Sequence, residues 1–324
     1  MALLFLTFNP ARSAEFGHDC LGERDIAVQR DMIAPQNFVP SSQCYHAVDQ
    51  GVSFKSRIFR SSNGRMPVSV VVNESVELKE IVFEIIGGPG QSVWHRRPDE
   101  WASMARDANR GVAWVTPSYV GTNQRSVYPE SDLPRAIDEL GNYLNFLQRN
   151  NPGVRITVVG YSTGGFLAAL LVKKRPQQAA ILLAPAIQSP DKIFHELTKH
   201  TTRKREEQWF NIVRSDATGE LVRRIVVSRL DFAPIFFGAY YRTGLAELLQ
   251  NAKPRCTVLV YGILDDRIGT HLIVAFKRIV PSVPVFAIKG DHYLYEANGG
   301  VEFLVKYRKM VGNCRLGNLT RETQ

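Results

Sequence analysis

The stretch that decides the fold is "VRITVVGYSTGGFLAALLVKK", residues 154–174. Its first residues are β-branched and largely apolar, which is typical of a strand buried on both faces of a sheet. From Gly164 onward the pattern is that of a helix with an apolar face. A buried strand that runs at once into a helix predicts a sharp, strained turn at Ser162. Gly160 and Gly164 leave space at that turn where any side chain would collide with neighbouring backbone.

This turn gives Ser162 a chemical setting that a surface serine lacks. Its hydroxyl is expected at the carboxyl end of a strand and beside the amino terminus of a helix, where backbone N–H groups point toward developing negative charge. The pattern G-x-S-x-G occurs often by chance, but its strand–turn–helix setting makes it a strong indicator. The stretch therefore predicts a nucleophilic serine at position 162.

Short apolar runs and helix-length patterns alternate along the rest of the chain. Two β-like runs, residues 52–60 and 66–72, flank an Asn-Gly turn and predict an opening hairpin. Further strands are predicted at residues 78–86, 111–117, 154–160, 179–186, 256–262 and 283–290. Helices are predicted at residues 98–109, 133–149, 164–174, 270–279 and 296–311. The alternation predicts an α/β fold with a mostly parallel, doubly wound sheet of about eight strands.

One long stretch, residues 187–250, breaks this alternation. An insertion after the sixth strand would lie over the sheet edge at which such folds bind ligands, so it predicts a helical cap. The α/β core then comprises residues 51–186 and 251–324. Residues 1–50 are irregular and polar, and they form a separate N-terminal segment.

The predicted cap contains an aromatic passage, "DFAPIFFGAYY", residues 231–241. Four of its side chains have helical spacing, namely Phe232, Ile235, Phe236 and Tyr240. They form either the core of the cap or an apolar wall against an acyl group, and the sequence leaves both interpretations open.

Acid and base candidates follow the last two predicted strands. "VLVYGILDDRIG" places Asp265 and Asp266 after one strand, and "VFAIKGDHYLYE" places His292 after the next. Together with Ser162 at its strained turn, this order of residues resembles the α/β-hydrolase family, in which the acid follows the seventh strand and the histidine follows the eighth. The resemblance implies that His292 takes the proton of Ser162 while a buried carboxylate orients the imidazole. The family's usual G-x-x-D pattern is matched by Gly262 and Asp265, so Asp265 is preferred over Asp266.

A glycine loop, "EIIGGPGQS", follows the third strand of the predicted core. It resembles the H-G-G-P-G loop of the prolyl iminopeptidase branch, the serine aminopeptidases. The resemblance implies an oxyanion hole made by the backbone N–H groups of Gly88 and Thr163. Two departures are that Ile86 stands where that branch has histidine and that residues 116–126 lack its D-x-R-G-x-G-x-S pattern. The resemblance covers about residues 50–311 and leaves the substrate open.

Three functions compete at this point. A serine hydrolase that cleaves a carboxylic ester is favoured, with an apolar acyl or alcohol part under the aromatic cap. An aminopeptidase of the prolyl iminopeptidase type is the second, and it needs carboxylates that hold a substrate ammonium group. The available acidic residues are Glu196, Glu206, Glu207, Glu220 and Asp231. A binding protein that kept the fold without catalysis is the third.

The histidine spacing and the glycine loops do not indicate a metal or a cofactor. His195 and His200 in "HELTKH" are five residues apart, whereas the zinc motif H-E-x-x-H needs a spacing of four. The glycine loops match neither a phosphate-binding nor a dinucleotide-binding pattern, so no cofactor is implied. Asp291, beside the histidine, is predicted to cap or turn its own loop.

The overall charge does not indicate a nucleic-acid partner. The chain has 324 residues, 40 Lys and Arg against 31 Asp and Glu, and a net charge of +9. These basic residues are scattered, and the densest cluster, near Arg203, is followed at once by two glutamates. No run approaches the roughly 18 apolar residues of a membrane-spanning helix. The expected partner is a small-molecule acyl substrate, and the sequence leaves the oligomeric state open.

The N-terminus and the cysteines bear on localisation. "ALLFLTF", residues 2–8, is about as long as the apolar core of a secretory signal peptide, yet no basic residue precedes it. Cys20 and Cys44 lie in a segment rich in turn formers and are a possible disulfide, which favours a periplasmic or secreted protein. Cys256 is interpreted as a small buried residue at the start of a strand. A cytoplasmic chain with free thiols is the alternative.

Overall fold

The computed structural model describes residues 14–17, 38–49, 52–61, 68–73, 76–87, 98–117, 133–189, 209–215, 221–228, 242–265 and 268–314. Twelve strands lie in these parts of the chain: β1 Ala14–Gly17, β2 Phe38–Asp49, β3 Val52–Ser61, β4 Val68–Val71, β5 Glu80–Ile85, β6 Val112–Pro117, β7 Arg155–Tyr161, β8 Ala179–Leu183, β9 Trp209–Ser215, β10 Leu221–Ser228, β11 Thr257–Gly262 and β12 Val285–Ile288. The helices there are α1 Pro98–Ala108, α2 Leu133–Asn150, α3 Thr163–Lys174, α4 Leu245–Ala252, α5 Thr270–Ile279, α6 Leu294–Ala297 and α7 Leu304–Cys314.

Ten of the strands form one sheet in the order β1-β2-β3-β4-β6-β5-β7-β8-β11-β12. The six strands from β6 to β12 in this order are all parallel to their neighbours. The predicted α/β fold with a mostly parallel core is therefore confirmed. The predicted opening hairpin is also present, because β3 and β4 pair antiparallel.

The sheet is larger than the predicted eight strands because the N-terminal segment adds to it. The prediction of an irregular segment is wrong for residues 14–17 and 38–49, which form β1 and β2. Strand β1 pairs antiparallel with β2, and β2 pairs antiparallel with β3. A register shift between Pro40 and Cys44 interrupts this pairing. Such a bulge breaks the two-residue alternation by which a strand is recognised in sequence.

The predicted cap is not purely helical. Strands β9 and β10 lie within residues 187–250 and pair antiparallel as a separate two-stranded sheet. Two β-branched runs flanking the turn-forming stretch "DATGE" were the sequence signal for this hairpin. The aromatic residues of residues 231–241 lie outside the described residues.

Helix α4 crosses the predicted end of the cap at residue 250. Leu245, Leu248 and Leu249 are fully buried and belong to the hydrophobic core. Helix α3 packs against α4 and is buried along its first ten residues, Thr163 to Val172. The helix that follows Ser162 therefore lies in the centre of the core.

The predicted helix over residues 296–311 is two helices. Helix α6 ends at Ala297, and α7 begins at Leu304. Between them Gly299 and Gly300 have φ angles of +67° and +110°. These angles lie outside the right-handed helical region, so the chain must leave the helix at this point.

A cluster of charges joins α1 and α7 to the amino-terminal ends of β5 and β7, which are the strand ends away from Ser162. Arg308 lies 2.8 Å from the carboxylate of Asp107, and Arg155 lies 2.7 Å from that of Glu80. Burial raises the pKa of Asp107 above its ordinary value, and the guanidinium of Arg308 opposes that rise. Trp114 donates a further hydrogen bond to Asp107. These contacts stabilise the scaffold without involving the predicted site.

Cys256 is not a lone buried residue. It forms a disulfide with Cys314, and the two Cα atoms are 5.5 Å apart. The bond joins the start of β11 to the end of α7. Sequence reasoning missed this pair because the partners are 58 residues apart. Cys20 lies outside the described residues, so the Cys20–Cys44 pair stays a prediction.

The Cys256–Cys314 disulfide is expected to stabilise the fold. Closing a loop of 58 residues restricts the unfolded chain and contributes up to about 4 kcal/mol. The double variant Cys256→Ser/Cys314→Ser should lower the free energy of unfolding by that order, as measured by urea denaturation. Alkylation of the denatured, unreduced wild type should leave Cys256 and Cys314 unmodified. Alkylation of both would contradict the disulfide.

Candidate active site

The elbow that carries Ser162 joins β7 directly to α3. Ser162 has a φ angle of +55°, a conformation that non-glycine residues adopt rarely. Its backbone N–H donates to the carbonyl of Leu183 at 2.8 Å, and its own carbonyl accepts from the N–H of Gly165 at 2.9 Å. These bonds hold the strained residue from the neighbouring strand and from its own helix.

Three glycines make the elbow possible. A Cβ atom on Gly160 would lie 2.6 Å from the Cβ of Ala168, and one on Gly164 would lie 2.6 Å from the carbonyl oxygen of Ile86. Both glycines were predicted to be needed. Gly165 was missed, and a Cβ there would lie 2.7 Å from the Cβ of Pro185. The second glycine of "STGG" was its only sequence signal.

The structure brings Ser162, His292 and Asp265 together at one end of the sheet. The Nε2 atom of His292 lies 3.0 Å from the Oγ atom of Ser162. Its Nδ1 atom lies 2.9 Å from Oδ2 of Asp265. An ionised carboxylate only accepts hydrogen bonds, so Nδ1 carries the proton and Nε2 is left to accept from the hydroxyl. Asp265 and His292 are only 6% and 7% exposed, which shields this pair from water.

The loop after β11 fixes the orientation of Asp265. Its Oδ1 atom accepts from the backbone N–H of Ile268 at 3.1 Å, which leaves Oδ2 directed at the imidazole. A Cβ atom on Gly262 would lie 2.8 Å from the carbonyl carbon of Gly290 in the histidine loop. The absence of a side chain at Gly262 therefore lets the two loops approach.

Asp266 and Asp291 are the other two aspartates near the candidate site in the sequence. Asp266 lies outside the described residues. Asp291 is exposed, and its Oδ1 atom accepts from the backbone N–H of Tyr293 at 2.8 Å. This bond is the loop-turning role that the sequence predicted.

Comparisons with known proteins bear on the fold that carries this arrangement. The family described as "Serine aminopeptidase, S33" matches residues 123–224. Solved structures with the same fold include the α/β hydrolase GrgF from Penicillium sp. sh18, with a TM-score of 0.54, 14% identity, and coverage of 79% of this chain and 98% of that chain. The chain therefore has the α/β-hydrolase fold.

Two further structures extend this likeness. A structure from a study of carboxylesterases of Nitrososphaera gargenis has a TM-score of 0.52 and 16% identity, and covers 79% of this chain and 99% of its own. Est1E from Butyrivibrio proteoclasticus with bound ferulic acid has a TM-score of 0.50 and 14% identity, with 84% and 98% coverage. No curated protein matches the chain. At these identities the structural likeness establishes the fold of this chain and neither its activity nor its substrate.

The structure describes one of the two candidate oxyanion groups. Thr163 is the first residue of α3, so its amide lies at the positive end of the helix dipole. Gly88 lies outside the described residues. The loop that carries it leaves β5 at Ile86 and Gly87, and the carbonyl of Ile86 packs against Gly164 of the elbow.

Several other candidate residues of the sequence analysis lie outside the described residues. They include His195, His200 and the five acidic candidates for an ammonium site. In the described parts of the chain, no three potential metal-ligating side chains come together. None of the helices described is both long and apolar enough to cross a membrane.

Sequence reasoning missed Tyr161, which lies directly under the candidate site. Its hydroxyl donates to the backbone carbonyl of His292, and its ring centroid lies 5.6 Å from the imidazole. Its position just before the serine was the only available signal. A tyrosine at the end of a buried strand is otherwise explained by packing alone.

The elbow predicts a difference between two glycine substitutions. Gly164→Ala places a Cβ atom against the carbonyl oxygens of Ile85 and Ile86. This overlap should lower the free energy of unfolding by about 1–3 kcal/mol. The matched control is Gly141→Ala in α2, where the nearest atoms, on Arg175 and Leu171, are 3.6 Å away. It should stabilise slightly, by up to about 1 kcal/mol. Equal urea midpoints for the two variants would contradict the crowding at the elbow.

Proposed function

We propose that this α/β hydrolase is a serine hydrolase that cleaves a carboxylic ester through Ser162, His292 and Asp265. The observation that carries the proposal is the continuous hydrogen-bonded chain from the serine hydroxyl through the imidazole to the buried carboxylate. This arrangement supplies a nucleophile, a base and an orienting acid in the order that acyl transfer requires.

The first half of the reaction forms an acyl-enzyme. Nε2 of His292 takes the Oγ proton as Oγ of Ser162 attacks the ester carbonyl carbon. The carbonyl oxygen becomes an oxyanion, and its charge is stabilised by the amides of Gly88 and Thr163 and by the helix dipole of α3. Collapse of this intermediate breaks the bond to the alcohol oxygen, and the imidazolium returns its proton to that oxygen.

The second half regenerates the enzyme. Water takes the place of the alcohol, and His292 removes its proton as the water oxygen attacks the acyl carbon. The carboxylic acid leaves, and Oγ of Ser162 recovers the proton. Throughout, Asp265 holds the imidazole in the Nδ1-protonated tautomer and stabilises its charged form. Its buried position keeps this interaction strong.

An apolar substrate is supported by the surface beside the site. Ile263 and Leu264 lie between the end of β11 and Asp265 and are 56% and 68% exposed. Exposed apolar side chains next to the acid of the site favour an apolar acyl or alcohol group. The aromatic passage at residues 231–241 extends this apolar character in the sequence.

An aminopeptidase is the second candidate. It is favoured by the family match at residues 123–224 and by the "GGPG" loop at residues 87–90. The same chemistry would then release an amino-terminal residue whose ammonium group is held by cap carboxylates. Ile86 in place of the branch's histidine weighs against this candidate.

Two measurements test the proposed function. A fluorophosphonate probe should label the wild type and not Ser162→Ala, because the probe reacts only with an activated serine. The wild type should hydrolyse p-nitrophenyl butyrate faster than proline p-nitroanilide, and Ser162→Ala should reduce turnover by about 10⁶-fold. Faster hydrolysis of the anilide would favour the aminopeptidase. A folded wild type that is not labelled would favour a binding protein.

The choice of carboxylate has its own test. Asp265→Asn should lower kcat on p-nitrophenyl butyrate by about 10³–10⁴-fold, because an amide stabilises the wrong tautomer of His292. Asp291→Asn is the matched control, since its side-chain oxygen still accepts from Tyr293, and its rate should stay within about threefold of wild type. A mild effect of Asp265→Asn together with a severe effect of Asp266→Asn would transfer the role to Asp266.

We also propose that the chain acts outside the cytoplasm. The Cys256–Cys314 disulfide supports this, because such bonds persist mainly in oxidising compartments. Alkylation in intact cells of the native host should leave both cysteines unmodified. Free thiols under those conditions would favour a cytoplasmic protein.

A further inference from the structure

We propose that Tyr161 is a positioning residue for the general base His292. This inference rests on the proposed function, because it assigns a task within the same site. Tyr161 is 5% exposed, and its hydroxyl donates to the main-chain carbonyl of His292. The same residue therefore contacts the imidazole with its ring and the backbone with its hydroxyl.

The position of Tyr161 in the chain makes this contact a direct link between nucleophile and base. Tyr161 is the last residue of β7 and is bonded covalently to Ser162. Its rigid ring spans the space between the elbow and the histidine loop. The distance of 3.0 Å between Ser162 Oγ and His292 Nε2 is thus set partly by a hydrogen bond from the residue next to the nucleophile.

The histidine loop needs such a link near its centre. Strand β12 ends at Ile288, and α6 begins at Leu294. Backbone bonds hold the two ends of the intervening loop: Leu264 donates to Gly290, and Ala297 donates to Tyr293. The bond from Tyr161 falls between them, at His292 itself.

Tyr295 and Glu84 in turn hold the ring of Tyr161 in place. Its ring stacks on that of Tyr295, with centroids 5.7 Å apart and planes inclined by 25°. The Tyr295 hydroxyl donates to Oε1 of Glu84 at 2.9 Å, and Thr116 donates to Oε2 at 2.8 Å. Glu84 is fully buried in β5, two residues before the glycine loop begins to leave the strand at Ile86. The orientation of Tyr161 is therefore coupled to the strand that leads to the candidate oxyanion hole.

A positioning role predicts an effect on catalysis beyond any effect on stability. Tyr161→Phe keeps the ring and removes only the hydroxyl, so the ring contacts with His292 and Tyr295 are retained. The freed loop should populate geometries in which Nε2 lies too far from Oγ to take its proton. Small misplacements of this kind affect reaction rates more strongly than substrate binding.

Tyr307→Phe is the matched control. Tyr307 is 1% exposed, and within the described residues its hydroxyl has no hydrogen-bond partner. It lies in α7 against Phe286, away from the elbow. The control makes the same chemical change at an equally buried ring without touching the histidine loop.

The experiment compares wild type, Tyr161→Phe and Tyr307→Phe in three measurements: the rate constant of fluorophosphonate labelling, kcat and KM on p-nitrophenyl butyrate, and Tm. Tyr161→Phe should lower the labelling rate and kcat by about 10- to 100-fold, with KM within about twofold of wild type. Tyr307→Phe should match wild type in labelling and in kcat.

Equal labelling and kcat for the two variants would overturn the positioning role. So would a loss in Tyr161→Phe that disappears when both variants are assayed well below their Tm, because the effect would then be one of stability. A wild type that is neither labelled nor active would instead contradict the proposed function itself. The two failures are thus distinguished by the behaviour of the wild type.

Discussion

The structure depends on one strained residue held between a strand and a helix. Ser162 keeps a φ angle of +55° because its N–H and carbonyl are both bonded in the packed interior. Gly160, Gly164 and Gly165 permit α3 to approach β7, the end of β5 and Pro185 more closely than any side chain would allow. Helix α3 is consequently buried in the centre of the core, and the cost of the strain is met by packing that extends well beyond the site.

Parallel pairing then brings the other groups to this elbow. The register places Ile85 beside Gly160, Tyr161 beside Leu183, and Gly262 beside Ile288. Strands β5, β7, β8, β11 and β12 therefore end at one edge of the sheet. Loops that leave neighbouring parallel strands at one edge must meet, which is why residues separated by more than a hundred positions share hydrogen bonds. Close approach at Gly262 completes the geometry by bringing the aspartate loop onto the histidine loop.

The elements that sequence patterns predicted well are those whose pattern reports burial. Strands β5 to β8, β11 and β12 are nearly continuous apolar runs, and each lies within the predicted residues except that β7 extends one residue further, to Tyr161. Strand β2 was missed because its place depends on pairing with β3 and its register is broken near Pro40. Asp265 was preferred over Asp266 by a family pattern, and the hydrogen bond from Ile268 shows the physical reason for its orientation. Gly165 was missed because its need arises from contact with Pro185, 20 residues later.

By itself the sequence determined the order of the core strands β3 to β8, β11 and β12, the elbow at Ser162 and the positions of Asp265 and His292 after successive strands. These features follow from local rules, because burial periodicity, glycine at tight turns and turn chemistry act over a few residues. Only the tertiary structure decided that Cys256 pairs with Cys314 and that the Tyr161 hydroxyl donates to the main-chain carbonyl of His292. Each of these depends on distances between groups that are remote in the chain or on different elements. Such distances are set by the packing of the whole sheet, and no local pattern encodes them.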